Sequence, residues 1–288
     1  MEEDLDFSKR NPVKAPEPQK ASIYDAYLAE QFFKLAGTPE TVAEGKTLFE
    51  ENEKGNRLFL KRDKMYLLLE GEVSLVAKSK VIGTVNKGEI FGEMASISQT
   101  ARSATAVAKR ACRVIGLDDK EFQSALRKMP DFALMLMSVM IGRIRATIAQ
   151  RGVAVAADGK PKETTVFDEK SRGILARAMG DQSQMKYVRE SVIMKEGQAG
   201  VLMYVVLSGS VSVTIQGKLV ERVGPGGVFG EMALVERTAR LASATAETNC
   251  TLVAINRNTF LNLVRASPDF GVALLGAIGE RARQMASR

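Results

Sequence analysis

Histidine is absent from this chain of 288 residues. Histidine is the side chain whose ordinary pKa lies closest to neutral pH, and it is the most common metal ligand in proteins. Without it the chain lacks the usual general base of enzymes, the usual zinc ligand and the usual pH sensor. We therefore expect neither catalysis nor a metal or other bound cofactor.

Cysteine is scarce as well, with Cys112 and Cys250 as the two examples. Each follows an arginine by ten positions, at Arg102 and Arg240, and so takes the same place in two similar segments. A disulfide would require their Cα atoms to come within about 7 Å of each other. We expect each cysteine in its own domain, as a buried free thiol.

No segment is apolar for long. The longest apolar block runs from Phe132 to Ile141 and is interrupted by Ser138, which is far short of the roughly 20 residues that span a bilayer. No apolar run follows a basic segment near the N-terminus, as a secretion signal would require. We expect a cytoplasmic protein that does not enter membranes.

The composition does supply enough apolar material for a core. The chain is 45% hydrophobic and 26% charged, and its length allows two domains. Its formal net charge of +7 suits small anions, and it would also suit weak contact with nucleic acid or an anionic membrane. Charge alone does not choose among these partners.

A long internal repeat is the main feature of the sequence. The segment 88–106 returns almost intact as 226–244, and a constant offset of 138 relates the copies from Tyr66 to Phe132 without a gap. Upstream the offset is 145, so the first copy has seven more residues near 57–63. Whatever the first copy does, the second is expected to do as well.

Each copy combines a glycine, an acid that can start a short helix, and an arginine nine positions after the acid. These residues include Glu93 and Arg102 in the first copy, and Glu231 and Arg240 in the second. Backbone N–H groups at a helix start and a guanidinium fork both favour an anion. Taken singly, each pattern also fits a helix N-terminus and a surface arginine, but the identical spacing of two copies favours a ligand site.

The run Phe-Gly-Glu-Met-Ala followed by Thr-Ala-Arg resembles the phosphate-binding cassette of cyclic nucleotide-binding domains, with alanine where that family usually has proline before the arginine. The resemblance implies that Glu93 and Glu231 accept from the ribose 2′-hydroxyl. Arg102 and Arg240 would pair with the cyclic phosphate, to which the backbone after each glycine would also donate. The predicted ligand-binding residues are Gly92, Glu93, Met94, Ala95, Arg102, Ser103, Gly230, Glu231, Met232, Ala233, Arg240 and Leu241.

The residue after the arginine differs between the copies. In the family a hydroxyl at this place can contact the phosphate or the exocyclic amine of guanine. Leu241 therefore argues against cGMP in the second copy, whereas Ser103 leaves cGMP possible in the first. We expect cAMP as the main ligand, and the pattern does not assign the residues that cover its base.

Short β-favouring runs separated by glycines precede each cassette, a pattern typical of a jelly roll. We predict a mainly β chain with flanking helices, built from two tandem jelly-roll (double-stranded β-helix) cyclic nucleotide-binding domains. The predicted parts are a disordered tail at 1–21, domain 1 at 22–150, a linker at 151–165 and domain 2 at 166–288.

The segment from Asp131 to Gln150 is apolar on nearly every side of a helix. A helix of this kind must be buried on more than one face. Its own barrel can cover one face. The other face needs domain 2 or a second subunit, which would make a homo-oligomer, unless the whole helix lies within one core.

The tandem arrangement is similar to that of cAMP-dependent kinase regulatory subunits and, within one domain, to the bacterial catabolite activator protein. It implies a non-catalytic receptor that shifts helix packing and acts on an unidentified downstream protein. Metal-dependent cupin enzymes share the barrel but hold their metal through histidines. Only 270–288 follow the second barrel, so we expect no helix-turn-helix and no sequence-specific DNA binding. The remaining alternative is an interaction scaffold in which one or both pockets are degenerate.

Overall fold

The computed structural model describes residues 24–54, 63–152, 162–163, 165–236 and 239–286. The predicted tail at 1–21 lies outside the described residues, and so does most of the predicted linker. The seven-residue insertion near 57–63 also falls outside them, apart from its last residue, Asp63.

Domain 1 contains two four-stranded antiparallel sheets. Their orders are β1-β8-β3-β6 and β2-β7-β4-β5, and they enclose an apolar core that includes Phe49, Phe91 and Val114. This is the predicted jelly roll. The strands are β1 (Pro39–Val42), β2 (Thr47–Phe49), β3 (Met65–Glu70), β4 (Val73–Ala77), β5 (Lys80–Val85), β6 (Ile90–Phe91), β7 (Thr105–Ala108) and β8 (Cys112–Leu117).

Domain 2 repeats this topology and adds one strand. Its two sheets have the orders β10-β17-β12-β15 and β11-β16-β13-β14-β9. Strand β9 comes from the predicted linker and pairs in parallel with β14, so this part of the linker joins the sheet. The strands are β9 (Lys162–Glu163), β10 (Gln184–Tyr187), β11 (Val192–Met194), β12 (Leu202–Ser208), β13 (Val211–Ile215), β14 (Lys218–Val223), β15 (Val228–Phe229), β16 (Ser243–Ala246) and β17 (Cys250–Asn256).

Eight helices flank the barrels in the described part of the chain. Local signals set several of their ends: Asp118 and Glu121 form a reciprocal capping box at the start of α3, and α8 begins at Pro268. The helices are α1 (Ala26–Lys34), α2 (Glu93–Ser98), α3 (Asp119–Lys128), α4 (Asp131–Arg151), α5 (Glu169–Met179), α6 (Glu231–Glu236), α7 (Arg257–Ala266) and α8 (Pro268–Ala286).

The two long helices, α4 and α8, join the domains. They pack against each other, and each also packs on the short helix of the other domain, α4 on α6 and α8 on α2. One apolar core runs through both domains and includes Phe32, Phe132, Met137 and Phe260. Domain 2 of the same chain therefore covers the second apolar face of α4, which was one of the three predicted arrangements. The homo-oligomer stays a prediction.

By length and composition, one helix in the described ranges could cross a membrane, namely Asp131–Gln150 within α4. More than half of it, 56%, is buried inside the protein, and core helices of globular proteins pass the same test. The pair α7 and α8 would pass only as one broken span, and the chain bends by 118° between these two helices. The two cysteines are buried and free, as predicted.

Candidate functional site

A left-handed glycine begins the cassette in each domain. Gly92 has a φ of 74° and Gly230 a φ of 78°, and helices α2 and α6 start at the next residue. A Cβ at Gly92 would lie 2.9 Å from Nη1 of Arg102, and one at Gly230 would lie 2.7 Å from Nη1 of Arg240. Both the backbone angle and the close approach of the arginine therefore require glycine here.

The Arg102 side chain is 4% exposed and is fixed by several contacts. Its Nη1 donates to the Gly92 carbonyl and its Nη2 to the Lys64 carbonyl, both at 2.7 Å. Nη2 also lies 3.4 Å from the Asp63 carboxylate, and Cζ lies 4.2 Å from the centroid of the Phe49 ring. Nε is buried and has no hydrogen-bond partner among the described residues. The Nε–H of the guanidinium thus remains for a ligand.

Burial lowers the pKa of the Arg102 guanidinium, and Asp63 partly offsets this effect. Burial also lowers the pKa of Arg240. Because the ordinary pKa of arginine lies far above 7, both side chains stay charged. Burial raises the pKa of the neighbouring Tyr66 hydroxyl to about 12, so this group is neutral. Each cassette therefore has a permanent, poorly hydrated positive charge beside it.

A turn after β2 in domain 1, and after β11 in domain 2, fixes the backbone of the arginine. The Asn52 N–H donates to the Arg102 carbonyl and the Arg102 N–H donates to the Glu53 carbonyl, both at 2.9 Å. The turn at Gly197 holds Arg240 through the same pair of bonds, at 2.9 and 2.8 Å. The arginine backbone is held in this way although alanine, not proline, precedes it.

The cassette glutamates bind arginines that the sequence analysis did not predict. Glu93 is 7% exposed and accepts from Nη1 of Arg143 in α4 at 2.9 Å. Arg281 in α8 makes the matching bond to Glu231 at 2.8 Å. Arg143 and Arg281 are 138 positions apart, so extending the repeat beyond Phe132 would have matched the two arginines to each other, though not to the glutamates.

All six predicted residues of domain 1 line one cavity of about 710 Å³. Ligand pockets commonly enclose about 300–1,000 Å³. The cavity extends from Arg102 and the cassette to α4, with Tyr24 and the strands β4 and β5 at its sides. The six residues are Gly92, Glu93, Met94, Ala95, Arg102 and Ser103.

Helix α4 forms the wall of this cavity opposite the barrel. Ser138, Val139, Gly142 and Arg143 belong to this wall. The Ser138 side chain is 2% exposed, and its Oγ is buried without a hydrogen-bond partner in the described structure. A buried hydroxyl without a partner is costly, so a ligand that bonds to it would gain affinity. Helix α4 therefore covers this cavity on the side away from the barrel.

Domain 2 has the same groups in a tighter arrangement. Arg240 is 7% exposed and donates from Nη1 to the Gly230 carbonyl at 2.7 Å. Gly200 lies directly against this guanidinium, because a Cβ there would be 2.1 Å from its Nε. The cavity beside Arg240 has a volume of about 80 Å³. The predicted residues that line it are Gly230, Glu231, Met232, Arg240 and Leu241.

Ala233, the remaining predicted residue, lies in α6, and its side chain is outside the described structure. The small cavity is closed on the helix side by Arg281, which bonds to Glu231, Glu221 and the Val228 carbonyl. The two cassettes are thus alike, but the spaces next to them are not.

Both cassettes present groups that can bind a ligand. A buried guanidinium, the first N–H groups of a helix and a carboxylate acceptor suit an anion that carries a hydroxyl. Within the described ranges no group of three His, Cys, Asp or Glu side chains could hold a metal ion.

Comparison with known proteins supports this chemistry. The sequence model of a family described as "Cyclic nucleotide-binding domain" matches residues 39–129 and 184–267, together more than half of the chain. The two matched stretches contain the two cassettes.

Two curated relatives match most of the chain. The cGMP-dependent protein kinase of Toxoplasma gondii is 26% identical over 231 residues, which are 80% of this chain and 20% of the kinase. The cAMP-dependent protein kinase regulatory subunit of Yarrowia lipolytica is 28% identical over 207 residues, 70% of this chain and 49% of that protein. The chain thus spans about a fifth and about half of their lengths.

A solved structure of the regulatory domain of Toxoplasma gondii PKA with cAMP is 18% identical. The match covers 92% of this chain and 90% of that chain, with a TM-score of 0.31.

Proposed function

The chain belongs to the cyclic nucleotide-binding domain family, and on this basis we propose that it is a non-catalytic receptor for a cyclic nucleotide, with cAMP as its ligand. The observation that carries the proposal is the cavity of domain 1. Its volume of about 710 Å³ suits a nucleotide, and its lining contains all six residues predicted for ligand binding.

The cyclic phosphate would bind between Arg102 and the start of α2. Nε of Arg102 is the buried donor that has no partner among the described residues, and the first N–H groups of a helix have no acceptor within that helix. The plane of the guanidinium is already fixed by its bonds to the carbonyls of Gly92 and Lys64 and by the ring of Phe49. The phosphate would therefore meet a charge that needs little reorganisation.

The ribose and the base would extend from this point towards α4. The Glu93 carboxylate, held by Arg143, would accept from the 2′-hydroxyl. The base would reach the wall of α4, where the Ser138 hydroxyl is buried without a partner in the described structure. Ser103 is exposed at the cavity edge, so cGMP remains a possible ligand of domain 1, whereas Leu241 at the same place in domain 2 disfavours it.

Signal transfer would follow the helices. Glu93 is bonded to α4, and α2 packs on α8 of the other domain. A ligand that binds one arrangement of α2 more tightly would shift the packing of both long helices. We propose that this shift changes binding to a downstream protein in the cytoplasm. The relatives named above are a kinase and a kinase regulatory subunit, so a protein kinase is one candidate.

The second candidate is an interaction scaffold in which one pocket is degenerate. The cavity of about 80 Å³ in domain 2 favours it for that domain. Under this alternative, domain 2 would serve mainly to cover α4 and α2 of domain 1.

Titration calorimetry of nucleotide-stripped protein with cAMP, cGMP and a cyclic dinucleotide tests the proposal. We expect cAMP to bind, and Arg102→Ala to weaken the site in domain 1 by about 10²-fold because it removes charge-assisted hydrogen bonds. Arg113→Ala is the matched control, since Arg113 is a half-exposed arginine that pairs with Glu70. An absence of binding heat with all three nucleotides would make the scaffold the better explanation.

A further inference from the structure

The two pockets differ almost ninefold in volume, about 710 Å³ against 80 Å³, although their cassettes are alike. The two barrels differ in sequence at one position whose strand pairing is the same in both. Glu221 of β14 pairs with Val213, and the corresponding residue of domain 1 is Gly83 of β5, which pairs with Leu75. Domain 2 thus has a carboxylate where domain 1 has no side chain.

The Glu221 carboxylate points to the long helix of its own domain. Nη2 of Arg281 donates to Glu221 at 3.1 Å and to the Val228 carbonyl at 2.7 Å, while Nη1 donates to Glu231 at 2.8 Å. These bonds join α8 to β14, β15 and α6. The side chains of Glu221, Arg281 and Glu231 are 14%, 13% and 4% exposed, so water weakens the contacts little.

The charges in this cluster reinforce one another. Burial alone would lower the pKa of the Arg281 guanidinium, but Glu221 and Glu231 outweigh burial and raise it. Two carboxylates therefore share one buried cation. If Arg281 moved away, both would remain in a site of low polarity, which is strongly unfavourable.

The matching arginine of domain 1 is much less confined. Arg143 bonds to Glu93 at 2.9 Å, but its side chain is 53% exposed. Gly83 cannot bond to it. Among the described residues a single carboxylate, that of Glu93, pairs with Arg143, and the wide cavity lies between α4 and the barrel.

We infer that Glu221 and Arg281 form a latch that holds α8 over the cassette of domain 2, so that a cyclic nucleotide fills domain 1 first and domain 2 only when the latch opens. The inference rests on the proposed function, because it concerns how readily the second proposed nucleotide site is filled. A nucleotide in domain 2 must enlarge a cavity of about 80 Å³ and displace Glu221 and Arg281, which line it. Both requirements lower the affinity of domain 2 relative to domain 1.

Exchanging the residues at this position between the domains tests the latch. In protein that carries Arg102→Ala, so that domain 2 reports alone, we expect Glu221→Gly to tighten cAMP binding at least tenfold. Glu221→Gln keeps the size of the side chain and removes its charge, and it should give a smaller gain. In protein that carries Arg240→Ala, Gly83→Glu should weaken domain 1 at least tenfold. A Cβ at Gly83 meets nothing within 4 Å, so the strand can accept the larger residue.

A second measurement separates the latch from the proposed function. Hydrogen exchange of ligand-free protein should be faster at 228–236 in Glu221→Gly than in wild type, and this readout needs no nucleotide. Affinities within threefold of the parent for both Glu221 variants would overturn the latch. If no variant binds any cyclic nucleotide, the proposed function fails; faster exchange would then still support the latch, and equal exchange would overturn it.

Discussion

The Arg143 guanidinium of α4 donates to the Glu93 carboxylate of the cassette at 2.9 Å. Arg281 and Glu231 repeat this bond in domain 2 at 2.8 Å. In each domain, the carboxylate that we propose for the ribose hydroxyl also ties the long helix to the cassette. Because each long helix packs on the short helix of the other domain, the two sites are joined through these bonds.

Replacing Arg143 with glutamine should affect ligand binding more than stability. The Arg143 side chain is 53% exposed, and exposed ion pairs contribute about 1 kcal/mol or less to folding. The buried Glu93 carboxylate, however, would lose the partner that orients it. In an Arg240→Ala background we expect the cAMP affinity of domain 1 to fall about three- to tenfold, with nearly the same melting temperature.

Calorimetry and a thermal melt measure the two effects of Arg143→Gln. The control is Lys120→Gln, which removes an exposed cation from α3 and should change neither quantity. An affinity equal to that of the parent would mean that Arg143 does not position Glu93.

The repeat predicted most of the fold and the cassettes because these depend on local signals. Strand β4 begins two residues after Gly71, and helix α5 runs from its cap Asp168 to Gly180, so glycines and caps mark their ends. Gly92 and Gly230 take the same left-handed conformation, as identical motifs should.

Contacts between distant elements were not predictable in this way. The bond from Arg143 to Glu93 depends on how α4 lies across the barrel, which no local pattern records. Strand β9 forms because two residues of the linker pair with the edge strand β14. The small cavity of domain 2 depends on the reach of Glu221 to Arg281, a tertiary contact between residues 60 positions apart.

Glycine is needed at position 92 for more than its backbone angle, and two variants separate the reasons. Gly45 has a φ of 76° and a Cβ there meets nothing within 4 Å, whereas a Cβ at Gly92 would lie 2.9 Å from Arg102. We expect Gly45→Ala to lower the free energy of unfolding by about 1–2 kcal/mol through strain alone. Gly92→Ala should lower it further and should also weaken cAMP binding in domain 1.

Urea unfolding and calorimetry on the two glycine variants provide the comparison. Equal stability losses, with cAMP affinity unchanged in both, would show that Arg102 does not need the space at Gly92.

Adding a single methyl group at the contact between α8 and α2 should change the stability of the protein. A Cβ at Gly276 would lie 3.7 Å from the Ile97 carbonyl, an ordinary contact, while one at Gly279 would lie 3.2 Å from Oγ of Ser98. That hydroxyl is fixed by a 2.7 Å bond to the Met94 carbonyl. Alanine favours a helix interior by about 1 kcal/mol over glycine, so Gly276→Ala should stabilise the protein.

For Gly279→Ala we expect the helix gain to be offset by the crowding against Ser98, and for Gly279→Val a net loss of stability. The midpoint of urea unfolding measures all three variants. Should Gly279→Ala stabilise as much as Gly276→Ala, α8 and α2 would not be as close as described.

Arg240 gives the sharpest test of the cassette in domain 2. Its Nη1 is bonded to the Gly230 carbonyl at 2.7 Å, and the rest of the guanidinium would serve the phosphate. In an Arg102→Ala background we expect Arg240→Ala to weaken cAMP binding about 10²- to 10³-fold, which corresponds to roughly 3–4 kcal/mol. Arg240→Lys should lie between, because the charge remains but the planar fork is lost. Glu231→Gln should cost less than Arg240→Ala, since an amide oxygen still accepts from the 2′-hydroxyl. Equilibrium dialysis with labelled cAMP measures the affinities, and binding within threefold of the parent at an unchanged melting temperature would disprove the assignment of Arg240 to the phosphate.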